Sequence, residues 1–81
     1  MTASEIKEIV KSTVSHITGL PLDSLTDSTS FNNTLEWDSI AQLRIMIELE
    51  APLGVHWTLR EMSELTSIPV ICAAVEAKFA H

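Results

Sequence analysis

Apolar residues recur at helical spacing near the N-terminus, between signals that start and stop a helix. Thr2 and Glu5 form a T-x-x-E capping box, which is typical of a helix N-terminus. Gly19 suits the C-terminal cap, and Pro21 prevents the helix from continuing. The pattern predicts a first helix over residues 2–17. Its apolar stripe is predicted to contain Ile6, Ile9, Val10, Val14 and Ile17.

The segment that follows, residues 20–36 ("LPLDSLTDSTSFNNTLE"), is dominated by Ser, Thr, Asp and Asn. Such a composition predicts a loop, with a helical turn near residues 23–25. A loop of this length inside a compact domain is unusual and often functional. Four spaced apolar side chains are expected to pin it across a helical core: Leu22, Leu25, Phe31 and Leu35.

A second helix is predicted over residues 39–51. Met46 and Leu49 broaden its apolar stripe, and Ile45 lies near the edge of that stripe. Pro52 and Gly54 are expected to end the helix. The main stripe is predicted to contain Ile40, Leu43, Ile47 and Ala51.

The last third of the chain predicts a short extended piece and two more helices. Val55 and Trp57 alternate with His56, so both apolar side chains should face the same way. A capping box of Thr58 and Glu61 starts a short helix over residues 59–65. The final helix is predicted over residues 68–79, with Pro69 in its first turn. Its stripe is predicted to contain Ile68, Ile71, Cys72, Val75 and Phe79.

These elements predict an all-α fold. We expect a small four-helix bundle with three longer helices, one short helix and a long loop between helices one and two. The chain has 81 residues, of which 46% are hydrophobic, so residues 1–81 should form one small domain. No apolar run approaches the ~20 residues that span a bilayer. The N-terminus also lacks the apolar region of a signal peptide.

Charge and cysteine content narrow the partners and the compartment. Eleven acidic and five basic residues give a net charge of −6, which disfavours nucleic acid and anionic membranes and favours a basic protein partner. Cys72 is the single cysteine, so no disulfide can form within the chain. This favours a reducing cytoplasm, with Cys72 as a packing residue. We expect a monomer.

Ser39 has three interpretations. Local sequence favours a helix cap, either as an S-x-x-Q box with Gln42 or beside Asp38, itself a good N-cap. A catalytic serine would need a base and a group that orients the base, but there is no G-x-S-x-G motif. The spacing of the three histidines indicates neither a base near Ser39 nor a metal site; these are His16, His56 and His81.

The third interpretation of Ser39 is a hydroxyl that another enzyme modifies. A phosphodiester at a helix N-terminus would meet free N–H groups.

The residues around Ser39 favour the third interpretation, because they resemble those of acyl carrier proteins. The core motif "WDSI" is similar to the D-S-[LI] of that family, and "TSFNNTLE" before it is similar to the family's approach to the serine. The stretch "MIELEAPLGVHW" resembles the end of the family's helix two and its connector, and "LTSIPVICAAVEAK" resembles the entry into its last helix. The resemblance covers residues 6–78.

The resemblance implies a non-enzymatic carrier with 4′-phosphopantetheine on Ser39, whose thiol holds an acyl or aminoacyl group as a thioester. Asp38 and Ile40 would flank this arm. The implied partners are a phosphopantetheinyl transferase, a loading ligase or acyltransferase, and downstream acyl-accepting enzymes. Docking is expected on helix two and the connector, through Ala41, Arg44, Ile47, Trp57 and Met62.

Two departures point away from housekeeping fatty acid synthesis. Carriers of that pathway usually have acidic residues just after the serine, where this chain has Ala41 and Arg44, and Trp37 replaces a small residue. We therefore expect a discrete carrier in a specialised pathway. The cargo stays open between a fatty acyl group, a polyketide and an amino acid loaded by a dedicated adenylating ligase. A helical interaction module without a cofactor is the alternative from another class.

Overall fold

The computed structural model describes residues 1–79, which form four α-helices and one short 3₁₀ turn. In chain order these are α1 (Ala3–Thr18), the 3₁₀ turn (Leu22–Ser24), α2 (Ser39–Leu53), α3 (Leu59–Glu64) and α4 (Ile68–Phe79). The structure is all-helical over the described range, which confirms the predicted fold class. No described helix is long and apolar enough to cross a membrane.

Capping residues set the helix ends where the sequence indicated them. The Thr2–Glu5 box starts α1 and the Thr58–Glu61 box starts α3, each with both reciprocal hydrogen bonds formed. Gly19 ends α1 and Gly54 ends α2, both in the left-handed conformation. Glycine adopts this conformation at little steric cost, which explains its place at these two ends.

The core lies where α1 packs against both α2 and α4. The predicted stripes of α1 and α4 are confirmed at their centres, because Val10, Val14, Ile71 and Val75 are fully buried. At the end of α4 the prediction was wrong for Phe79, whose side chain is exposed. Cys72 is half-buried, and burial raises the pKa of its thiol, which disfavours the reactive thiolate form.

The buried face of α2 differs from the predicted one. Ile40, Leu43, Ile47 and Ala51 were expected in the core, but all four are exposed. The core face contains Ala41, Gln42, Ile45, Met46, Leu49 and Leu53. Since α2 has apolar side chains on both faces, helical periodicity alone gave no basis for choosing between them. The choice left a row of large apolar side chains in contact with solvent.

Pro52 does not end α2 as predicted, but lies inside its last turn. A proline there removes one helical hydrogen bond without blocking the residues before it. The helix closes after Leu53, where Gly54 turns the chain and the Val55 N–H donates to Glu50 O at 3.1 Å. The end of α2 is therefore set by Gly54.

The long loop is fixed to the core by fewer of its predicted residues. Leu25 is buried and Phe31 packs against the core, as expected. Leu22 is exposed, and Leu35 is 93% exposed, so the prediction was wrong for both. Trp37 provides the missing contact, since only 1% of it is exposed.

The connector after α2 places Val55 and Trp57 in the core and His56 in solvent, as the alternation predicted. The Trp57 N–H donates to Glu50 Oε2 at 3.0 Å. In contrast, the indole Nε1 of Trp57 is buried without a hydrogen-bond partner in the described range. Trp57 is thus held by packing and by its backbone.

None of the residues of α3 is fully buried, so polar contacts supplement the packing of Met62 against the core. Lys78 of α4 forms a 3.1 Å ion pair with Glu61, and its Nζ lies 5.2 Å from the Trp57 ring centroid, within cation–π range. The loop and the start of α4 meet beside α3, where the Phe31 N–H donates to Thr66 O at 2.9 Å. These contacts position α3 next to the start of α2.

Candidate functional site

Asp38 caps the N-terminus of α2 and leaves Ser39 as the first helical residue. Asp38 Oδ1 accepts a 2.8 Å hydrogen bond from the Ala41 N–H, while Asp38 O accepts one of 2.8 Å from the Gln42 N–H. The S-x-x-Q capping box considered for Ser39 does not form, because the Gln42 side chain is engaged elsewhere. Capping therefore does not account for the Ser39 hydroxyl.

The Ser39 side chain is exposed, and its Oγ has no hydrogen-bond partner within residues 1–79. The backbone N–H groups of Ser39 and Ile40 also have no partner in that range. Unpaired N–H groups and the positive end of a helix dipole favour an anionic group at such a position. The start of α2 thus combines a free hydroxyl with donors that suit a phosphate ester on it.

A buried hydrogen-bond network fixes the helix start from behind. Trp37 Nε1 donates to Gln42 Oε1 at 2.7 Å. Gln42 Nε2 donates to Met62 O and to Leu65 O, each at 2.8 Å. The network therefore joins the loop residue before Asp38, the first turn of α2 and the C-terminal end of α3.

A groove of about 270 Å³ lies between α2 and α3 and has Ser39 in its lining. Its lining contains Phe31, Ser39, Gln42, Leu43, Met62, Ser63 and Thr66. None of these side chains is charged, so the groove suits an uncharged group. A separate hollow of about 400 Å³ lies along the loop from Phe31 to Asp38 and does not include Ser39.

The histidines lie away from Ser39 in the described part of the chain. His16 is exposed near the end of α1, and the His56 side chain is 98% exposed, with Nδ1 3.9 Å from Glu50 Oε2. Neither lines the groove at Ser39. His81 lies outside the described residues. Residues 1–79, which the structure describes, contain no group of three or more His, Cys, Asp or Glu side chains that could hold a metal ion.

Some of the residues that were expected to dock partners are exposed, and others are buried. Arg44 and Ile47 are exposed on α2, and Met62 is partly exposed at the groove. Ala41 and Trp57 are buried in the core, so their side chains offer almost no surface to a partner. Ile40, expected beside the arm, is 71% exposed on the same face as Arg44 and Ile47.

Comparison with known protein families shows the family to which this chain belongs. A family described as "Phosphopantetheine attachment site" matches residues 8–75, which is most of the chain. The chain belongs to this family. No curated protein sequence matches the chain significantly. The resemblance to acyl carrier proteins is thereby confirmed, and with it the cofactor, 4′-phosphopantetheine, held covalently.

Carrier domains of the phosphopantetheine attachment site family are loaded by a phosphopantetheinyl transferase and interact with enzymes that handle acyl groups. The start of α2 fits the cofactor chemically: it offers a free hydroxyl for the ester, two unpaired N–H groups for the phosphate, and an uncharged groove for the rest. When bound, the cofactor supplies the thiol on which acyl groups are carried as thioesters. The chain itself contributes the anchor and the surface around it.

Sequence reasoning missed the role of Gln42 and the burial of Trp37. Both belong to the network behind Ser39, yet Gln42 was considered only as part of a cap. A glutamine within an otherwise apolar helix face is a usable signal, because a buried amide needs partners. Its partners at Met62 and Leu65 are 20 and 23 residues away in the chain, and no local pattern indicates them.

Proposed function

We propose that the chain is a carrier domain, not itself an enzyme, whose 4′-phosphopantetheine is attached to Ser39. The observation that carries this proposal is that the cap of α2 and the exposed hydroxyl belong to different residues. Asp38 supplies the cap, while the Ser39 hydroxyl is exposed and free of hydrogen bonds in the described range. Asp38 and Ile40 flank the arm on either side.

Attachment exchanges a phosphoanhydride bond for a phosphodiester bond. The Ser39 Oγ–P bond forms, the pyrophosphate bond of coenzyme A breaks, and adenosine 3′,5′-bisphosphate leaves. The hydroxyl proton passes to the transferase, which explains why a base beside Ser39 is not needed. The thiol of the arm is then acylated by a ligase or acyltransferase, and a downstream enzyme removes the acyl group.

The exposed face of α2 supports docking beside Ser39. We define the α2 docking face as Ile40, Leu43, Arg44 and Ile47, all exposed. Large apolar side chains around a single cation suit partners that present apolar surface and a carboxylate. Such contacts must be small and transient, because a carrier has to leave each partner.

The same face supports a specialised pathway. The positions after Ser39 that are acidic in fatty acid synthase carriers contain Ala41, which is buried, and Arg44, which has no ion pair within residues 1–79. A basic enzyme surface would find no carboxylate in this turn. The loading partner is then a dedicated enzyme, and an adenylating ligase that supplies an amino acid fits this requirement. We place the carrier in the cytoplasm as a monomer.

Intact mass spectrometry tests the attachment. The protein is incubated with coenzyme A, Mg²⁺ and a broad-specificity phosphopantetheinyl transferase. We expect a mass increase of one phosphopantetheine in the wild type and none in Ser39→Ala. Ser63→Ala is the matched control, since Ser63 is an exposed serine of the same groove and this variant should be modified normally.

An unmodified, folded wild-type protein would contradict the proposal. It would instead support a helical interaction module without a cofactor. Modification that persists in Ser39→Ala would place the arm on another residue.

A further inference from the structure

Gln42 is a buried polar side chain in the core of the described residues, with 5% of its surface exposed. Its carbonyl accepts from Trp37, and its amide nitrogen donates to two backbone carbonyls of the α3 region. Both protons of the amide nitrogen are therefore used, as a buried amide requires. The side chain is consequently fixed in one orientation, across the space between α2 and α3.

This position lies directly in the path of anything that enters the groove from Ser39. Gln42 follows Ser39 by three residues, so the two side chains lie on the same side of α2, one turn apart. Both line the groove. The fully buried residues beyond Gln42 on α2, Ile45 and Met46, do not line it. The groove therefore stops at Gln42 and does not continue into the core.

The size of the groove limits what fits before this stop. An engineered protein cavity of about 150 Å³ accommodates one benzene molecule. The groove, at about 270 Å³, has room for the end of the arm and a small group, but not for a long chain in addition. A longer chain could be buried only by displacing the Gln42 side chain, which would break its three hydrogen bonds.

We propose that Gln42 is a specificity-determining residue that closes the inner end of the groove and restricts sheltered cargo to short acyl or aminoacyl groups. This inference rests on the proposed attachment at Ser39. A short cargo fills the groove and is partly protected from solvent. The extra methylene groups of a long acyl chain stay outside and gain no protection from the carrier.

Thioester reactivity as a function of chain length tests this role. The broad-specificity transferase is supplied with acetyl-, butanoyl- or decanoyl-coenzyme A, and cleavage of each carrier thioester by hydroxylamine is followed by intact mass. In the wild type, we expect the decanoyl thioester to be cleaved within about twofold of the butanoyl rate, because its additional methylenes are not sheltered from solvent.

In Gln42→Ala the inner end of the groove is open. We expect cleavage of the decanoyl thioester to become at least about fourfold slower than that of the butanoyl thioester, the equivalent of one additional buried methylene. Ser12→Ala is the control, because Ser12 is exposed on α1 and does not line the groove; its rates should follow the wild type. A general loss of stability would change the rates at all lengths together, whereas the proposal concerns their ratio.

Two results would overturn the proposal. One is a wild-type decanoyl thioester that is protected more than about fourfold relative to butanoyl, since a closed groove cannot bury that chain. The other is a folded Gln42→Ala variant whose rates still do not depend on length. If Gln42→Ala does not fold, the wild-type series decides alone. Failure of the transferase to modify the wild type would instead contradict attachment at Ser39.

Discussion

Trp37 and Gln42 are joined side chain to side chain by a 2.7 Å hydrogen bond that spans the start of α2. The two residues are five apart in the chain and enclose Asp38 and Ser39 between them. Because both side chains are buried, this bond fixes the helix start from the core side and leaves its outer side free. The position of Ser39 is thus determined by its neighbours, while its own hydroxyl makes no hydrogen bond within the described residues.

Asp38→Ala and Ser39→Ala should differ in stability. Asp38→Ala removes the N-cap bond to Ala41 and should lower the free energy of unfolding by about 1 kcal/mol. Ser39→Ala removes a hydroxyl without a hydrogen-bond partner in the described range, so its change should stay within about 0.5 kcal/mol. Urea denaturation of the unmodified proteins measures both. Equal losses would mean that Ser39 shares the capping role.

Trp37→Phe should cost more stability than Trp57→Phe, although both substitutions remove the same indole group. In Trp37→Phe the buried Gln42 Oε1 loses its partner, which costs about 1–3 kcal/mol. The Trp57 Nε1 is buried without a partner, so its removal relieves a desolvated donor and offsets part of the lost packing. Thermal and urea denaturation provide the comparison. A larger loss in Trp57→Phe would indicate that Trp57 has a polar partner after all.

Glu61 should make stability depend on pH in the acid range. Its pKa is lowered below the usual 4.5, first by the hydrogen bond from the Thr58 backbone and then by Lys78. A lowered pKa in the folded state means that the carboxylate stabilises the fold. This contribution is complete above pH 4.5 and is lost as the pH falls through the lowered value.

The measurement is the free energy of unfolding as a function of pH below 4.5. Glu61→Gln should flatten this dependence. Glu48→Gln is the control, because Glu48 is exposed on α2 and makes no ion pair in the described range. If Glu61→Gln leaves the slope unchanged, the contact with Thr58 and Lys78 does not contribute to stability.

Ile47→Asp should weaken partner recognition without weakening the fold. Ile47 is 55% exposed on the α2 docking face, so a polar residue should change stability by no more than about 0.5 kcal/mol. Truncation of the few residues that anchor an interface costs more than about 1 kcal/mol, and we expect Ile47 to be one of them, which corresponds to a several-fold lower kcat/KM for the transferase. Val70→Asp is the matched control, since Val70 is similarly exposed on α4. Equal effects of the two variants would argue against the docking face.

Gly54→Ala should lower stability by about 1–2 kcal/mol, the cost of a left-handed conformation for a residue with a Cβ. The φ angle of Gly54 is +64°, and an added Cβ would meet no atom within 4 Å. The loss should therefore come from backbone strain alone. Gly54→Asn should lose less, because asparagine tolerates this conformation better. Thermal denaturation of the pair separates strain from a steric clash, which would affect asparagine more.

The sequence was sufficient for the helix ends that capping boxes and terminal glycines set, because caps act locally, whereas Pro52 was wrongly expected to end α2. Each capping box and each terminal glycine depends on residues within one turn, so Thr2, Gly19, Gly54 and Thr58 could be interpreted without the rest of the fold. The resemblance around Ser39 likewise indicated the family that the comparison confirmed.

Features that depend on distant contacts could not be predicted in this way. The buried face of α2 is chosen by its packing against α1 and α3, and either face would have satisfied the apolar pattern. In the loop, Leu35 and Trp37 are both apolar and two residues apart, and only the packed core selects Trp37. The groove could not be predicted from the sequence either, because it is formed by segments far apart in the chain and closed by Gln42.

The exposed isoleucines of α2 make the overall charge important for solubility. Apolar faces of this kind on separate copies attract one another in concentrated solution. Each copy carries a net charge of −6 at pH 7, and repulsion between like-charged molecules opposes that attraction. Acidification neutralises the carboxylates and weakens the repulsion. The acidic residues of the loop and of all four helices thus keep separate copies apart in solution, which allows the apolar α2 docking face to stay exposed between encounters with partners.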